Sequence, residues 1–471
     1  MGTTTDVSRS GSKVESLRGG GHFKCASIVE ETVEMNTLLG NAIWAMSLMG
    51  VVGLSDADIV VDASGDGDYL TIQEAIDAAS EGEIIQVRSG VYTGAGEFIA
   101  VCEDKLLSII GAGAEQTIID GEGERAGFSF SSTNSGDLTS LIEGVTVRNC
   151  VQQSGMGGGL RIIGPMVVRS CTFEDNGTFD LRAGAISVGS GTLIESCTFR
   201  NNIGISSGAV YARNATIRDC TFEANQADYT GGAIWSSGFS PPGPMTVENC
   251  IFRLNTAGTD GGAVRVCCGA SMQMTGCTFE FNSCESTGGA VYFQSDASLG
   301  CAISDTLIKN CNADDSGGGV YSGIEIQLDG LDVSFCDAPL GAALHINVPY
   351  ASTPSALSNT NVWKCGSNID GVVYVEYDDD VLSGLVVSDS VFCANSIEDI
   401  TGAWSDGGGS EWTGPECPWE CDADLNGDFV VDVDDVLLVI ARYGSTGADP
   451  NGDGVVDVND ILLVIDQWGP C

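Results

Sequence analysis

Positive charge is scarce in this chain: 19 Lys plus Arg stand against 65 Asp plus Glu in 471 residues, a formal net charge of −46. A nucleic-acid binder is thereby excluded, because phosphate contacts need clustered cations. Polyanionic partners in general are disfavoured unless calcium bridges them. Histidine is scarcer still. His22 and His345 alone leave no material for a multi-histidine zinc site and little for histidine-based catalysis. Proline is low, at 11 residues, and aromatics make up 7%, yet 43% of the residues are hydrophobic, enough for a large core and too many for wholesale disorder. No uncharged apolar run reaches the length of an ordinary membrane span. The longest, Leu38–Leu54, is short and carries Asn41.

What is abundant is glycine, with 64 residues, and cysteine, with 19. The run Leu38–Leu54 is followed by Ser55-Asp56-Ala57, and small residues at Ser55 and Ala57 suit the −3 and −1 positions of a signal-peptidase site. Residues 1–57 therefore read as an N-terminal extension and signal peptide, with Met35 as an alternative start. No integral span is expected after cleavage. Export agrees with the cysteine content, since disulfides persist outside the cytosol, and the acidic excess suits a calcium-rich medium.

Residues 140–400 repeat one phrase. Cys-Thr-Phe-x-x-Asn recurs at Cys171, Cys197, Cys220 and Cys277, with Cys250-Ile-Phe as a variant and weaker copies at Cys150, Cys311, Cys336, Cys365 and Cys393. The steps between these ten cysteines are 21, 26, 23, 30, 27, 34, 25, 29 and 28 residues, a spacing that means one coil per repeat with insertions in loops. A second phrase lies between: Gly231-Gly232-Ala233-Ile234, Gly261-Gly262-Ala263-Val264, Gly288-Gly289-Ala290-Val291. Leucine-rich repeats are excluded, because their Leu/Asn spacing is absent. Short β-branched runs such as Met245-Thr246-Val247 predict brief strands, stacked in parallel into a solenoid. The position three before each cysteine is apolar in nine of ten copies, for example Ile194 and Val247. An odd step cannot keep two side chains inward on a straight strand, so a corner is expected between them. The ten cysteines are expected to form one internal ladder of small buried side chains. The asparagines five positions on, Asn176, Asn202, Asn225, Asn255 and Asn282, are expected to bond from rung to rung. The ladder has no CxxC pair, which argues against a metal in it. Charges at Arg148, Arg169, Glu195, Arg218, Glu248 and Lys309 read as a solvated face.

These repeats resemble the right-handed parallel β-helix family, in particular its branch of polymorphic outer-membrane and adhesin-like proteins. The segment DASGDGDYLTIQEAIDAASEGEIIQVRSGVY from Asp62 is similar to the opening segment of pectinesterase-like β-helices, which implies an amphipathic helix at Thr71–Ala79 capping one end. Catalytic signatures of that wider family are missing: there is no GHG or RIK phrase of polygalacturonases and no QDT, DFIFG or GRPW phrase of pectinesterases. Arg182, Arg213 and Arg265 carry nothing that sets them apart from surface arginines. The glycine-rich Ile110–Gly113 lacks the Lys-Ser/Thr of a phosphate loop. No catalytic residue is nominated. Tyr211, Trp235, Tyr292 and Tyr321 each follow the small-residue phrase closely, so they are candidates for an aromatic, glycan-binding stripe, with corner packing as the alternative.

At the C-terminus DLNGDFVVDVDDVLLVIARYG from Asp424 and DPNGDGVVDVNDILLVIDQWG from Asp449 repeat 25 residues apart. Asp424, Asn426, Asp428, Asp432 and Asp435, and Asp449, Asn451, Asp453, Asp457 and Asp460, occupy loop positions 1, 3, 5, 9 and 12, and Val430 and Val455 supply the carbonyl at position 7. That oxygen spacing suits two calcium ions. The pair resembles a type I dockerin, which implies a cohesin-like partner or cell-surface scaffold. Phe429 stands where position 6 is ordinarily Gly. Cys421 and Cys471 are candidates to clasp the module, with Cys417 competing. The expectation is an all-β, right-handed parallel β-helix over 58–416 with a small α-helical dockerin-like module at 417–471: a secreted, calcium-binding protein that binds extracellular polysaccharide. The alternative is a polysaccharide lyase or O-glycosyl hydrolase with a groove on the helix.

Overall fold

The computed structural model describes residues 58–414 except for short loops (132–138, 153–156, 180–181, 239–243, 298–299, 349–353, 368, 377–383 and 397), together with 430–431, 433–441, 456–466 and 469–470. Between Ile59 and Gly414 the chain coils as a parallel β-helix. A typical turn runs through Thr192–Glu195, Thr198–Arg200, Ile203–Gly204 and Val210–Ala212 before starting again at Ala215. Stacked turns give four parallel sheets of 14, 13, 7 and 12 strands. Helix α1, Ile72–Ala78, closes the N-terminal end. Thr71 and Glu74 form a capping box at its start, while Ile72, Ala75 and Ile76 turn into the core. Lys105 Nζ donates to the carbonyls of Ile76, Asp77 and Ala79, a cation at the negative end of the helix.

Each corner is made by a left-handed residue. Ser170, Ser196, Asp219 and Asn249 have φ between 52° and 54° and precede Cys171, Cys197, Cys220 and Cys250; Asp175, Asn201, Ala224, Leu254 and Phe281 have φ between 53° and 57° and precede the asparagines. The corner expected before the cysteine is present, and a second of the same form follows five residues later. That repetition corrects the single cysteine ladder. Strand register pairs Val147 with Phe173 and Phe279 with Ile308, which places Cys150 and Cys311 in line with the asparagines. The Cys150 N–H donates to Asn176 Oδ1 at 3.1 Å, and Asn282 Nδ2 donates to Cys311 Sγ. Cys336 and Cys365 continue that column. Two columns therefore exist, one running Cys171–Cys277 and one in which Cys replaces Asn at Cys150 and from Cys311 to Cys365 before Asn395 resumes it. The odd steps of 21 and 34 residues are switches between them. Cys393 belongs to neither. It pairs in register with Trp363 and forms a disulfide whose partner lies outside the described residues.

The asparagine column bonds as expected. From Asn176 to Asn282 each amide Nδ2 donates to the next Asn Oδ1 at 2.9–3.0 Å, and each also reaches a main-chain carbonyl, as Asn255 does at Phe222. Phe173, Phe199, Phe222, Phe252 and Phe279 stack beside it at 4.6–5.2 Å, the strand spacing itself. A Cβ on Gly232 would lie 2.1 Å from the Gly262 carbonyl oxygen, so the small-residue phrase exists because turns approach too closely there for a side chain. Of the charges expected to be simply solvated, Arg148, Arg169 and the Arg218–Glu195 pair bond between turns instead, the first two with Asp120 and Glu143, and Arg200 with Glu174 and Arg253 with Glu280 do the same. Lys309 is buried. In the C-terminal segment, α2 (Val433–Ala441) and α3 (Val458–Asp466) pack through Val439, Val456 and Val464, and Val430–Val431 pairs antiparallel with Gly469–Pro470.

Candidate functional site

In the 12-stranded sheet one outward position is aromatic or cationic on successive turns. Register aligns Tyr211 with Trp235, Trp235 with Arg265, Arg265 with Tyr292, Tyr292 with Tyr321, Tyr321 with His345 and His345 with Tyr374. All four aromatic candidates thus share one column, and the structure adds Arg265, His345 and Tyr374 to it. The signal for the additions was the same spacing after the small-residue phrase, obscured at His345 and Tyr374 because Gly341-Ala342-Ala343 and Asp370-Gly371-Val372 replace Gly-Gly-Ala. Ring centroids are 4.9 Å apart for Tyr211–Trp235, 5.0 Å for Tyr292–Tyr321, 4.8 Å for Tyr321–His345 and 5.0 Å for His345–Tyr374.

The rings cover one another unequally. Tyr211 is 4% and His345 5% exposed, whereas Trp235, Tyr292, Tyr321 and Tyr374 are half-buried and present an edge to solvent. The three arginines without a distinguishing sequence signal converge on the column. Arg182 lies over the Tyr211 ring at 4.6 Å, Arg213 Nε donates to the Tyr211 hydroxyl at 3.4 Å, and Arg265 lies over Tyr292 at 5.9 Å while donating to Gln294. These are cation–π contacts, in which the ring face attracts the guanidinium. Arg265 Nε is buried without a hydrogen-bond partner. Beside the column Tyr229, Trp235, Asp260 and Arg265 line an open hollow of about 620 Å³. The Asp260 carboxylate accepts from Thr287 at 2.8 Å.

Ionisation follows burial. His345 is held neutral: loss of hydration lowers it to about 4, and both ring nitrogens lack a hydrogen-bond partner, with the Glu376 carboxylate 3.6 Å from Nε2. Burial pushes the Tyr292 hydroxyl up to about 12. Two carboxyls are raised by burial, Asp332 and Asp399. Asp332 lies away from the column, whereas Asp399 sits one turn beyond Tyr374, its carbonyl accepting the Val373 N–H. Asp332, on the 13-stranded sheet, accepts from Trp363 Nε1 at 2.9 Å, and Asp399 accepts from Asn395, contacts that hold structure rather than aim a proton at a groove.

Of the nominated calcium ligands, the side chains of Asp435, Asp457 and Asp460 are described. Asp435 and Asp460, the twelfth residue of each loop, are completely buried at the starts of α2 and α3, and Asp460 Oδ2 accepts the Asp457 N–H at 2.7 Å. Buried carboxylates turned back on the loop fit a hard cation with oxygen ligands. For Val430 the backbone alone is described. Asp424, Asn426, Asp428, Asp432, Asp449, Asn451, Asp453 and Val455, the cysteines Cys421, Cys417 and Cys471, Phe429, and the segment 1–57 lie outside the described residues. Among the described residues no helix is long and apolar enough to cross a membrane.

A family model described as a right-handed β-helix region matches residues 117–279, and the chain over its coiled part is a right-handed parallel β-helix. No curated protein matches the sequence. Solved structures share the fold at low identity. The A-module of a mannuronan C-5 epimerase from Azotobacter vinelandii is 15% identical, with 73% of this chain and 95% of that one covered and a TM-score of 0.37. The catalytic domain of a GH87 α-1,3-glucanase in complex with nigerose is 14% identical over 75% and 69%, TM-score 0.39. A pectin methylesterase from carrot is 10% identical over 77% and 90%, TM-score 0.25. These are likenesses of fold.

Proposed function

We propose that this protein is an extracellular glycan-binding β-helix tethered through a calcium-loaded, dockerin-like tail. The column Tyr211–Trp235–Arg265–Tyr292–Tyr321 carries the reading. It presents the partly exposed rings of Trp235, Tyr292 and Tyr321, interleaved with arginines, along one face of the solenoid. A polysaccharide lying along that face meets apolar ring edges for the sugar C–H surface and guanidinium N–H groups for its oxygens. The binding reading is preferred to a hydrolase or lyase because the two carboxyls raised by burial, Asp332 and Asp399, are each tied into a structural hydrogen bond. Retention on insoluble polysaccharides tests it. Trp235→Ala and Tyr292→Ala each weaken retention about tenfold, the loss expected of a central aromatic anchor. New reducing or unsaturated ends on any glycan in the same panel would instead establish an enzyme.

For the tail, Ca2+ is bound through Asp424, Asn426, Asp428, Val430, Asp432 and Asp435 and through their counterparts from Asp449 to Asp460. Leu437 and Ile440 on α2, and Leu462 and Ile465 on α3, are 51–56% exposed at equivalent positions of the two repeats. An apolar face of this kind supports a protein partner such as a cohesin-like domain. Phe429→Gly is expected to tighten calcium binding at the first loop, because a non-glycine residue at position 6 of such a loop costs about 1 kcal/mol in a left-handed turn. Calorimetric calcium titration of both forms checks this; equal affinities would refute the strain.

A further inference from the structure

Two adjacent cysteines stand outside both internal columns. Cys267, the last residue of the strand Val264–Cys267, shares the outward parity of Arg265, yet is completely buried because Trp235 covers it. The Trp235 indole Nε1–H donates to Cys267 Sγ at 3.1 Å. Cys268 is partly exposed and left-handed, with φ 59°. One turn later Asp296 is fixed against the pair: its Oδ1 accepts the Cys268 N–H at 2.8 Å and its carbonyl accepts the Gly269 N–H at 2.7 Å. The two sulfurs and a carboxylate oxygen all lie within 4.8 Å of one another.

We propose that Cys267, Cys268 and Asp296 bind a zinc-class divalent cation through two thiolates and one carboxylate, with a further position open to water. Thiolates select against calcium and magnesium and in favour of zinc and its softer congeners. A tetrahedral zinc with sulfur at about 2.3 Å and oxygen at about 2.1 Å needs ligand atoms roughly 3.5–3.8 Å apart, which a modest rotation of the exposed Asp296 and Cys268 side chains supplies. The indole N–H on Cys267 is the outer-shell donor such a thiolate requires. Both thiols must lose their protons to ligate, so cation binding releases protons and strengthens with pH. The bound ion also anchors Trp235, which connects this site to the aromatic column without depending on what the column binds.

The test uses the full-length, reduced, calcium-saturated protein titrated with Cd2+ as a spectroscopic probe and then with Zn2+. The expected result is a thiolate-to-metal ultraviolet absorption that saturates with a single Cd2+ per chain and is displaced by Zn2+. Cys268→Asn, which suits the left-handed turn, abolishes the absorption with the circular dichroism spectrum unchanged, and Asp296→Asn weakens binding at least about tenfold. Absence of the absorption, its survival in Cys268→Asn, or a Cys267–Cys268 disulfide that persists under mild reductant would overturn the site.

Discussion

A single corner position in this solenoid accepts either Asn or Cys, and the reason is local. The residue following a left-handed corner turns inward at a point where the preceding turn offers both an N–H and a carbonyl. Asparagine satisfies both and its neighbour in the column; a thiol is small enough to fit and can accept weakly. Asn255 sits in the middle of this column, and its replacement by Ala removes the acceptor of the Asn225 N–H, one of the two acceptors of the Asn225 amide and a donor to the buried Phe222 carbonyl. We expect a loss of about 3 kcal/mol from urea unfolding, and a smaller one for Asn255→Cys, since Cys150 and Cys311 occupy equivalent places. His345 behaves oppositely, as a polar group kept neutral by burial. Its folded pKa, about 4, lies below an unfolded value of about 6.5, so the unfolded chain binds the proton first. Stability contributed by neutral His345 is complete above pH 6.5 and falls as the pH drops towards 4, at about 1.4 kcal/mol per unit. Unfolding curves of His345→Phe should lack that acid slope; an identical slope would remove His345 as its cause.

At the scale of elements, the strands are too short to be stable alone and depend on their neighbours above and below. Terminal turns are therefore where the fold needs a special device. Helix α1 provides it at the N-terminal end, holding Ile72, Ala75 and Ile76 over the open core while Lys105 satisfies its last carbonyls. Thr71→Ala removes the side-chain half of the capping box, the hydroxyl that accepts the Glu74 N–H and donates to the Glu74 carboxylate, and should cost about 1 kcal/mol, read as earlier amide exchange in the first turns and not in the middle of the solenoid. The helix was legible in sequence through the resemblance of the opening segment and the amphipathic pattern of Thr71–Ala79. The two-column arrangement was not. Both corners carry the same short phrase, an inward apolar residue, an outward residue, a left-handed residue and an inward small one. One-dimensional spacing cannot separate two copies offset by five residues when Cys occurs in either.

For the whole molecule, β-helix and tail are held by different physics. The solenoid is a continuous apolar core laced by backbone bonds and needs no ion, whereas the buried Asp435 and Asp460 are carboxylates that a cation would neutralise. Thermal unfolding with excess chelator should therefore abolish the tail's helical signal near ambient temperature and leave the strand signal in place. A single transition shifted by calcium as a whole would show that the two parts are coupled. The charge of −46 adds to this dependence, since self-repulsion weighs most on the small acidic tail.

Composition and repeat by themselves determined the coiled architecture, the corner before each cysteine, the asparagine column and the aromatic stripe, because a period of one turn converts sequence spacing directly into spatial stacking. They also marked the duplicated oxygen-rich loops. Only the folded chain decided which turn each weak repeat joins, that Arg182, Arg213 and Arg265 gather on the aromatic face, and that Asp296 meets Cys267 and Cys268. Those outcomes depend on the length of each loop between strands, and loop length shifts register without leaving a mark in any single repeat. Register, in a parallel solenoid, is fixed by main-chain bonds between turns, and these exist only once the turns are stacked.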